Sequence, residues 1–111
     1  MSKRIFIAVA ATVVVVASPA LALDWLHTQV KVGSKTCFAS HYHHIESGAF
    51  ASRAGAEAAA TRRWENFTRN EYGAAWASLA RADAKVMDCA QGKNTRGTVW
   101  NCKLKAKPCR G

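Results

Sequence analysis

The stretch that decides the fold is "TVWNCKLKAKPC", residues 98–109, near the end of the chain. Over residues 100–107, apolar side chains alternate strictly with polar ones. The apolar positions are Trp100, Cys102, Leu104 and Ala106, and the polar ones are Asn101, Lys103, Lys105 and Lys107. This period of two predicts a β-strand with one face in the core and a basic face in solvent. Pro108 ends the strand because proline cannot donate a ladder hydrogen bond.

A second strand precedes this one and pairs with it. Residues 86–89, "VMDC", form a short β-like run, and the "GKNTRG" segment at 92–97 indicates a loop. We therefore expect an antiparallel hairpin, with Cys89 on one arm and Cys102 on the other. Residues 74–83 fit either a helix or a strand, and the sequence leaves that choice open.

One amphipathic helix is expected before the hairpin. Residues 51–73 are rich in alanine, the best helix former. Apolar residues recur there at spacings of three and four: Ala56, Ala60, Trp64 and Phe67. Ser47 or Ser52 is suited to cap its start and Gly73 to end it. We predict an α+β fold in which the helix lays Trp64 and Phe67 on a two- or three-stranded antiparallel sheet.

The first 22 residues have the features of a secretory signal peptide. Lys3 and Arg4 precede the apolar run at 5–17, and an Ala-Leu-Ala sequence ends the segment at 20–22. The run is shorter than the roughly 20 residues that cross a bilayer, so we expect cleavage before Leu23 and no membrane anchor. Loss of the two basic residues changes the formal charge from +9 to +7.

The remaining chain is short and contains four cysteines. We expect residues 23–48 to be an irregular N-terminal arm, with at most a short strand around "TQVKV", and residues 49–111 to be the α+β domain. The cysteines are Cys37, Cys89, Cys102 and Cys109. They lack the close pairs of zinc sites, so two disulfides are expected, in any of three pairings. Such stapling fits a secreted or periplasmic monomer.

A basic surface is the first candidate site. Residues 92–111 contain six basic side chains and no acidic one. Alternate strand residues lie about 6.5–7 Å apart, so three lysines form a row of charge. The predicted anion-binding residues are Lys103, Lys105, Lys107, Arg96 and Arg110. They suit an acidic envelope polymer or nucleic acid. The alternative is that the lysines only maintain solubility and protect a sheet edge.

The histidines of "HYHH", residues 41–44, are the second candidate site. In an extended chain His41 and His43 point the same way and His44 points to the other side, so the first two suit one zinc or copper ion. His27, Glu46 or a reduced Cys37 would supply a further ligand. The alternative is a solvated arm that packs Tyr42 on the domain, and the sequence favours that interpretation.

Catalytic motifs are not recognisable in this sequence. It lacks a nucleophile elbow, a P-loop and an H-E-x-x-H pattern. Glu65 and Glu71 fall among arginines of the predicted helix, where ion pairing accounts for them. We therefore expect a non-catalytic protein without a cofactor. Binding of an anionic polymer is the leading prediction and metal binding is the alternative.

Several short motifs, taken in order, resemble a family of small exported bacterial proteins of unknown function. They are "SG" at 47–48, "W..FT..EYG..WA" at 64–77, "K.MDC" at 85–89, "WNC" at 100–102 and "AKPC" at 106–109. The similarity covers roughly residues 41–110. Members often have "H.H.GSG" where this chain has "HYHHIESG", so it departs at Ile45 and Glu46. The resemblance implies export, cysteine pairing and a small α+β domain, and it implies no ligand.

Overall fold

A computed structural model describes residues 10–12 and 27–111 of the chain. The predicted signal peptide, residues 1–22, lies outside this description except for its residues 10–12. Within the described parts of the chain, no helix is long and apolar enough to cross a membrane.

The described residues form one long helix, two short 3₁₀ helices and two antiparallel sheets. The helix α1 is Arg53–Tyr72, and the 3₁₀ helices are Ala74–Trp76 and Leu79–Arg81. The strands are β1 (Gln29–Val32), β2 (Lys35–Phe38), β3 (His43–Glu46), β4 (Asp83–Asn94), β5 (Gly97–Lys107) and β6 (Cys109–Arg110). One sheet has the order β1-β2-β6 and the other has the order β3-β5-β4. The α+β class is confirmed, and the 3₁₀ helices settle the open choice at 74–83.

β5 is the central strand of the larger sheet. Cys102, Leu104 and Ala106 are buried, whereas Lys103 and Lys105 are exposed, so the alternation in the sequence is the alternation of the two faces. β4 and β5 form the predicted hairpin, but it turns through Thr95 and Arg96 alone, because pairing continues to Asn94↔Gly97. The loop predicted at 92–97 is therefore largely strand.

The helix begins and ends where the sequence predicts. The Ser52 side chain accepts a hydrogen bond of 3.0 Å from the Gly55 amide, and Gly73 follows the last turn with a φ of 94°. At that backbone angle a residue without a Cβ is favoured. The caps confine α1 to the alanine-rich segment.

The buried face of α1 matches most of the predicted one and also includes Ala59 and Thr68. Ala56, Ala60 and Trp64 pack with the apolar residues of β5 in the core, as expected. Thr68 continues this stripe and is fully buried, whereas Phe67 is 48% exposed. The prediction that Phe67 lies on the core is wrong: its ring packs against the His43 imidazole instead, with ring centres 4.7 Å apart.

The predicted irregular arm is wrong at two places, where the structure has strands β2 and β3. The short strand around residues 28–32 is present as β1, but β2 and β3 follow it. β2 pairs with β6 through Thr36↔Arg110 and Cys37↔Cys109, and β3 pairs with β5. These partners are about 60–70 residues away in the chain, so no local pattern in this segment reveals them.

The two disulfides connect Cys37 with Cys109 and Cys89 with Cys102. The first joins β2 to β6 and closes a separation of 72 residues. The second crosses the hairpin and closes 13 residues. Two disulfides point to an oxidising location outside the cytoplasm.

We predict that loss of Cys37–Cys109 destabilises the protein more than loss of Cys89–Cys102. The chain-entropy model gives about 4 kcal/mol for the longer loop and about 3 kcal/mol for the shorter one. Denaturant unfolding of the two double Cys→Ser variants measures the difference. An equal or reversed order would contradict this account of the small sheet.

Candidate metal centre

Two histidines of the "HYHH" segment lie on the inner side of the larger sheet. His43 pairs with Ala106 of β5, a buried position, and is itself only 3% exposed. His41 lies two residues earlier and its ring centre is 4.9 Å from that of His43. His44 pairs with Lys105 and is exposed on the opposite face. The structure therefore brings together His41 and His43, and it separates His44 from them.

The helix supplies a third potential ligand, Glu71. Its Oε1 lies 3.7 Å from His41 Nε2 and its Oε2 lies 3.2 Å from His43 Nε2. One ligand atom from each of the three residues falls within 4.8 Å of the others. The sequence interpretation paired Glu71 with helix arginines, which is wrong. Its position seven residues after Trp64, on the packed stripe, was the available signal.

A hydrogen bond from the helix fixes the orientation of His43. Its Nδ1 and the Thr68 hydroxyl are 2.8 Å apart and both side chains are buried. This contact directs Nε2 towards Glu71. The Nε2 atoms of His41 and His43 are buried, and neither has a hydrogen-bond partner among the described residues. An imidazole that is held through one nitrogen and offers the other is the usual arrangement of a histidine metal ligand.

Burial keeps both imidazoles neutral. Desolvation lowers the pKa of His43 from its ordinary 6.5 to about 4, against the opposing effect of Glu71 and with smaller contributions from His41 and His44. Desolvation also lowers the pKa of His41, with Glu71 again opposing it and His27 adding to it. Neutral imidazole is the form that binds metal. Both nitrogens are therefore available at neutral pH.

Aromatic rings enclose the site. Tyr72 stacks on His43, with ring centres 5.4 Å apart and an interplanar angle of 8°. Phe67 packs edge-on against the same imidazole at 4.7 Å, which explains the role of a helix residue that is not in the core. Burial and the Glu71 carboxylate raise the pKa of Tyr72, so its phenol stays protonated. The enclosure limits the access of water to His43.

The predicted lysine row lies on the outer face of the same sheet, among carboxylates. In the strand register, Lys103 lies between Glu46 and Asp88, and its Nζ is 3.6 Å from a Glu46 oxygen. Lys107 lies opposite Asp83 in β4. Three acidic side chains thus share this face with three lysines. The formal charge of the face is close to zero, which a one-dimensional count of residues 92–111 does not reveal.

Lys105 and Lys107 flank one tyrosine ring, whereas Arg96 and Arg110 lie apart from them. The ammonium groups of Lys105 and Lys107 lie 5.1 and 5.0 Å from the centre of the Tyr42 ring, in cation–π contacts. Arg96 is in the hairpin turn, and Arg110 is on β6 of the other sheet, 5.4 Å from the Trp76 ring. The five residues do not form one surface.

The comparisons with known proteins give no independent assignment. No protein-family model, no curated protein and no solved structure matches the chain. The site is therefore interpreted from its geometry.

We predict that acid destabilises the protein through His43. A lowered pKa in the folded state means that the unfolded state binds more protons between pH 6.5 and about 4. The contribution of His43 to the free energy of unfolding should fall across that window by about 3 kcal/mol and level off below it. Unfolding of the metal-free protein at a series of pH values measures this effect.

The groups that face His43 are His41, Glu71, Tyr72 and Thr68. Because some of them also titrate, a matched control variant is needed to isolate the effect of His43 on the pH dependence. His43→Gln should flatten the dependence, and His44→Gln, on the exposed face of the same strand, should retain it. A profile that is identical in the wild type and His43→Gln would contradict the assignment.

Proposed function

We propose that this is an exported, non-catalytic protein that binds a divalent transition metal, zinc or copper, through His41, His43 and Glu71. The observation that carries the proposal is the pair of buried Nε2 atoms that face one carboxylate without hydrogen-bond partners among the described residues. The Glu71 oxygens, 3.7 and 3.2 Å away, compensate this burial only in part, because neither approach has the geometry of a hydrogen bond. A bound cation would supply the missing partner for both imidazoles.

The donor set agrees with this class of metal. Imidazole nitrogen and carboxylate oxygen are ordinary ligands of zinc and copper(II), whereas calcium and magnesium prefer oxygen alone. Glu71 also supplies one negative charge against the positive charge of the ion. Thr68, on the preceding turn of α1, acts as an outer-shell partner that orients His43. Both sulfur pairs are in disulfides, which excludes thiolate ligands among the described cysteines.

The distribution of charges on the folded chain supports the polymer alternative less well. A site for an acidic envelope polymer or nucleic acid would use Lys103, Lys105 and Lys107, with Arg96 and Arg110. Carboxylates opposite Lys103 and Lys107 reduce the potential that such a polymer would meet. Lys105 and Lys107 against Tyr42 remain the part of that face best suited to an anion. Polymer binding therefore stays a second proposal.

Export and disulfide formation fit a metal-binding role. The basic, apolar start of the sequence supports secretion to the periplasm or beyond, where metals exchange between proteins. Glu71 is 35% exposed and His41 is 21% exposed, so an ion has a path to the site. Each sheet contains one disulfide, and these bonds do not depend on a metal ion. They would keep the strands joined during binding and release of the ion.

We expect the oxidised, metal-free protein to bind one zinc ion, measured by isothermal titration calorimetry, and copper(II) in a parallel titration. His41→Ala, His43→Gln and Glu71→Gln should each weaken zinc binding at least about tenfold, because each removes a ligand. Glu71→Gln is the most informative change, since this partly exposed side chain is replaced by one of the same shape.

His44→Ala is the matched control. It removes an imidazole from the same segment but from the outer face, and its affinity should equal that of the wild type. Circular dichroism of each variant verifies that the fold is retained. Equal losses in His44→Ala and His43→Gln, or full affinity in Glu71→Gln, would overturn the assignment.

A further inference from the structure

We infer that His27 is the fourth ligand, so that the metal centre is a closed set of three histidines and one glutamate. This inference rests on the proposed metal binding at His41, His43 and Glu71 and specifies how that site is completed. A three-residue set leaves a tetrahedral ion one position short. His27 is an exposed side chain next to this position.

The ring spacings fit a shared ion. Two imidazoles bound to one tetrahedral ion at about 2.0–2.1 Å have ring centres about 5 Å apart. The observed separations are 4.9 Å for His41 and His43 and 5.4 Å for His27 and His41. His27 is therefore already near the spacing of a ligand, although its nitrogens are not yet within the compact group formed by the other three residues.

A hydrogen bond to Tyr72 keeps the His27 side chain beside the proposed metal site. The Nε2 of His27 and the Tyr72 hydroxyl share a hydrogen bond of 3.1 Å. The same hydroxyl interacts with Glu71, and the Tyr72 ring stacks on His43. In the metal-bound form a metal bond would replace this hydrogen bond, and the exposed imidazole would turn from Tyr72 towards the ion. The phenol, whose pKa is raised, stays protonated and keeps its contact with Glu71.

The closed set defines the kind of metal protein. Four protein ligands leave no position for a metal-bound water, and structural or carrier sites have this property whereas hydrolytic zinc sites keep one position free. The site would therefore hold and hand over a metal ion without activating water. Release would begin at His27, the most exposed of the three histidines.

The test measures zinc affinity and, separately, the visible absorption spectrum of the cobalt(II) form. The intensity of the cobalt(II) bands reports the coordination number of the ion. The wild type should show the intense bands of four-coordinate cobalt. His27→Ala should bind zinc about ten- to a hundredfold more weakly and give the weak bands of five- or six-coordinate cobalt, since water replaces the imidazole. His44→Ala should match the wild type in both measurements.

The Tyr72→Phe variant distinguishes His27 from Tyr72 as the fourth ligand. It removes the hydroxyl that restrains His27 and leaves the ring, so zinc affinity should stay equal or increase. A loss of affinity in Tyr72→Phe with none in His27→Ala would make Tyr72 the ligand and overturn the inference. Wild-type affinity and an unchanged cobalt spectrum in His27→Ala would overturn it while leaving the proposed function intact. A wild type that binds neither metal would overturn both.

Discussion

The packing of α1 against the inner face of β5 determines where the candidate ligands lie. Trp64 is fully buried there, and Ala56 and Ala60 let the helix approach Cys102, Leu104 and Ala106 closely. Burial of a side chain as large as Trp64 contributes several kcal/mol, so this contact dominates the stability of a small core. The same packing brings the last helical turn over β3, where Thr68 meets His43 and Glu71 meets both inner histidines. The site is thus a consequence of the core and depends on it.

The site is also costly for the metal-free protein. Two imidazole nitrogens are removed from water without hydrogen-bond partners in the described chain, and burial disfavours their protonated forms. A ligand that binds only the folded state stabilises it by mass action. A bound metal ion would therefore offset the free-energy cost of burying the two imidazole nitrogens. The disulfides do not depend on an ion, so the links from β2 to β6 and from β4 to β5 persist in its absence.

Local sequence patterns predicted the parts of the fold that depend on local chemistry. The alternation in β5, the Ser52 and Gly73 caps of α1 and the hairpin that carries Cys89 and Cys102 are all visible in the sequence. The pairing of β2 with β6 and of β3 with β5 was not visible, because it joins residues far apart in the chain. Glu71 was assigned to ion pairs within the helix because its histidine partners lie in a distant part of the chain. His41 and His43 were paired correctly from the period of an extended chain, but their third partner comes from another element.

The most direct test of the central claim is a crystal structure of the zinc-soaked protein with anomalous difference maps recorded on both sides of the zinc absorption edge. We expect one strong peak on the inner side of the larger sheet, about 2.0–2.2 Å from His41 Nε2, His43 Nε2 and a Glu71 oxygen. A peak at His44 and Glu46 on the outer face, or zinc bound only at scattered surface residues, would contradict it.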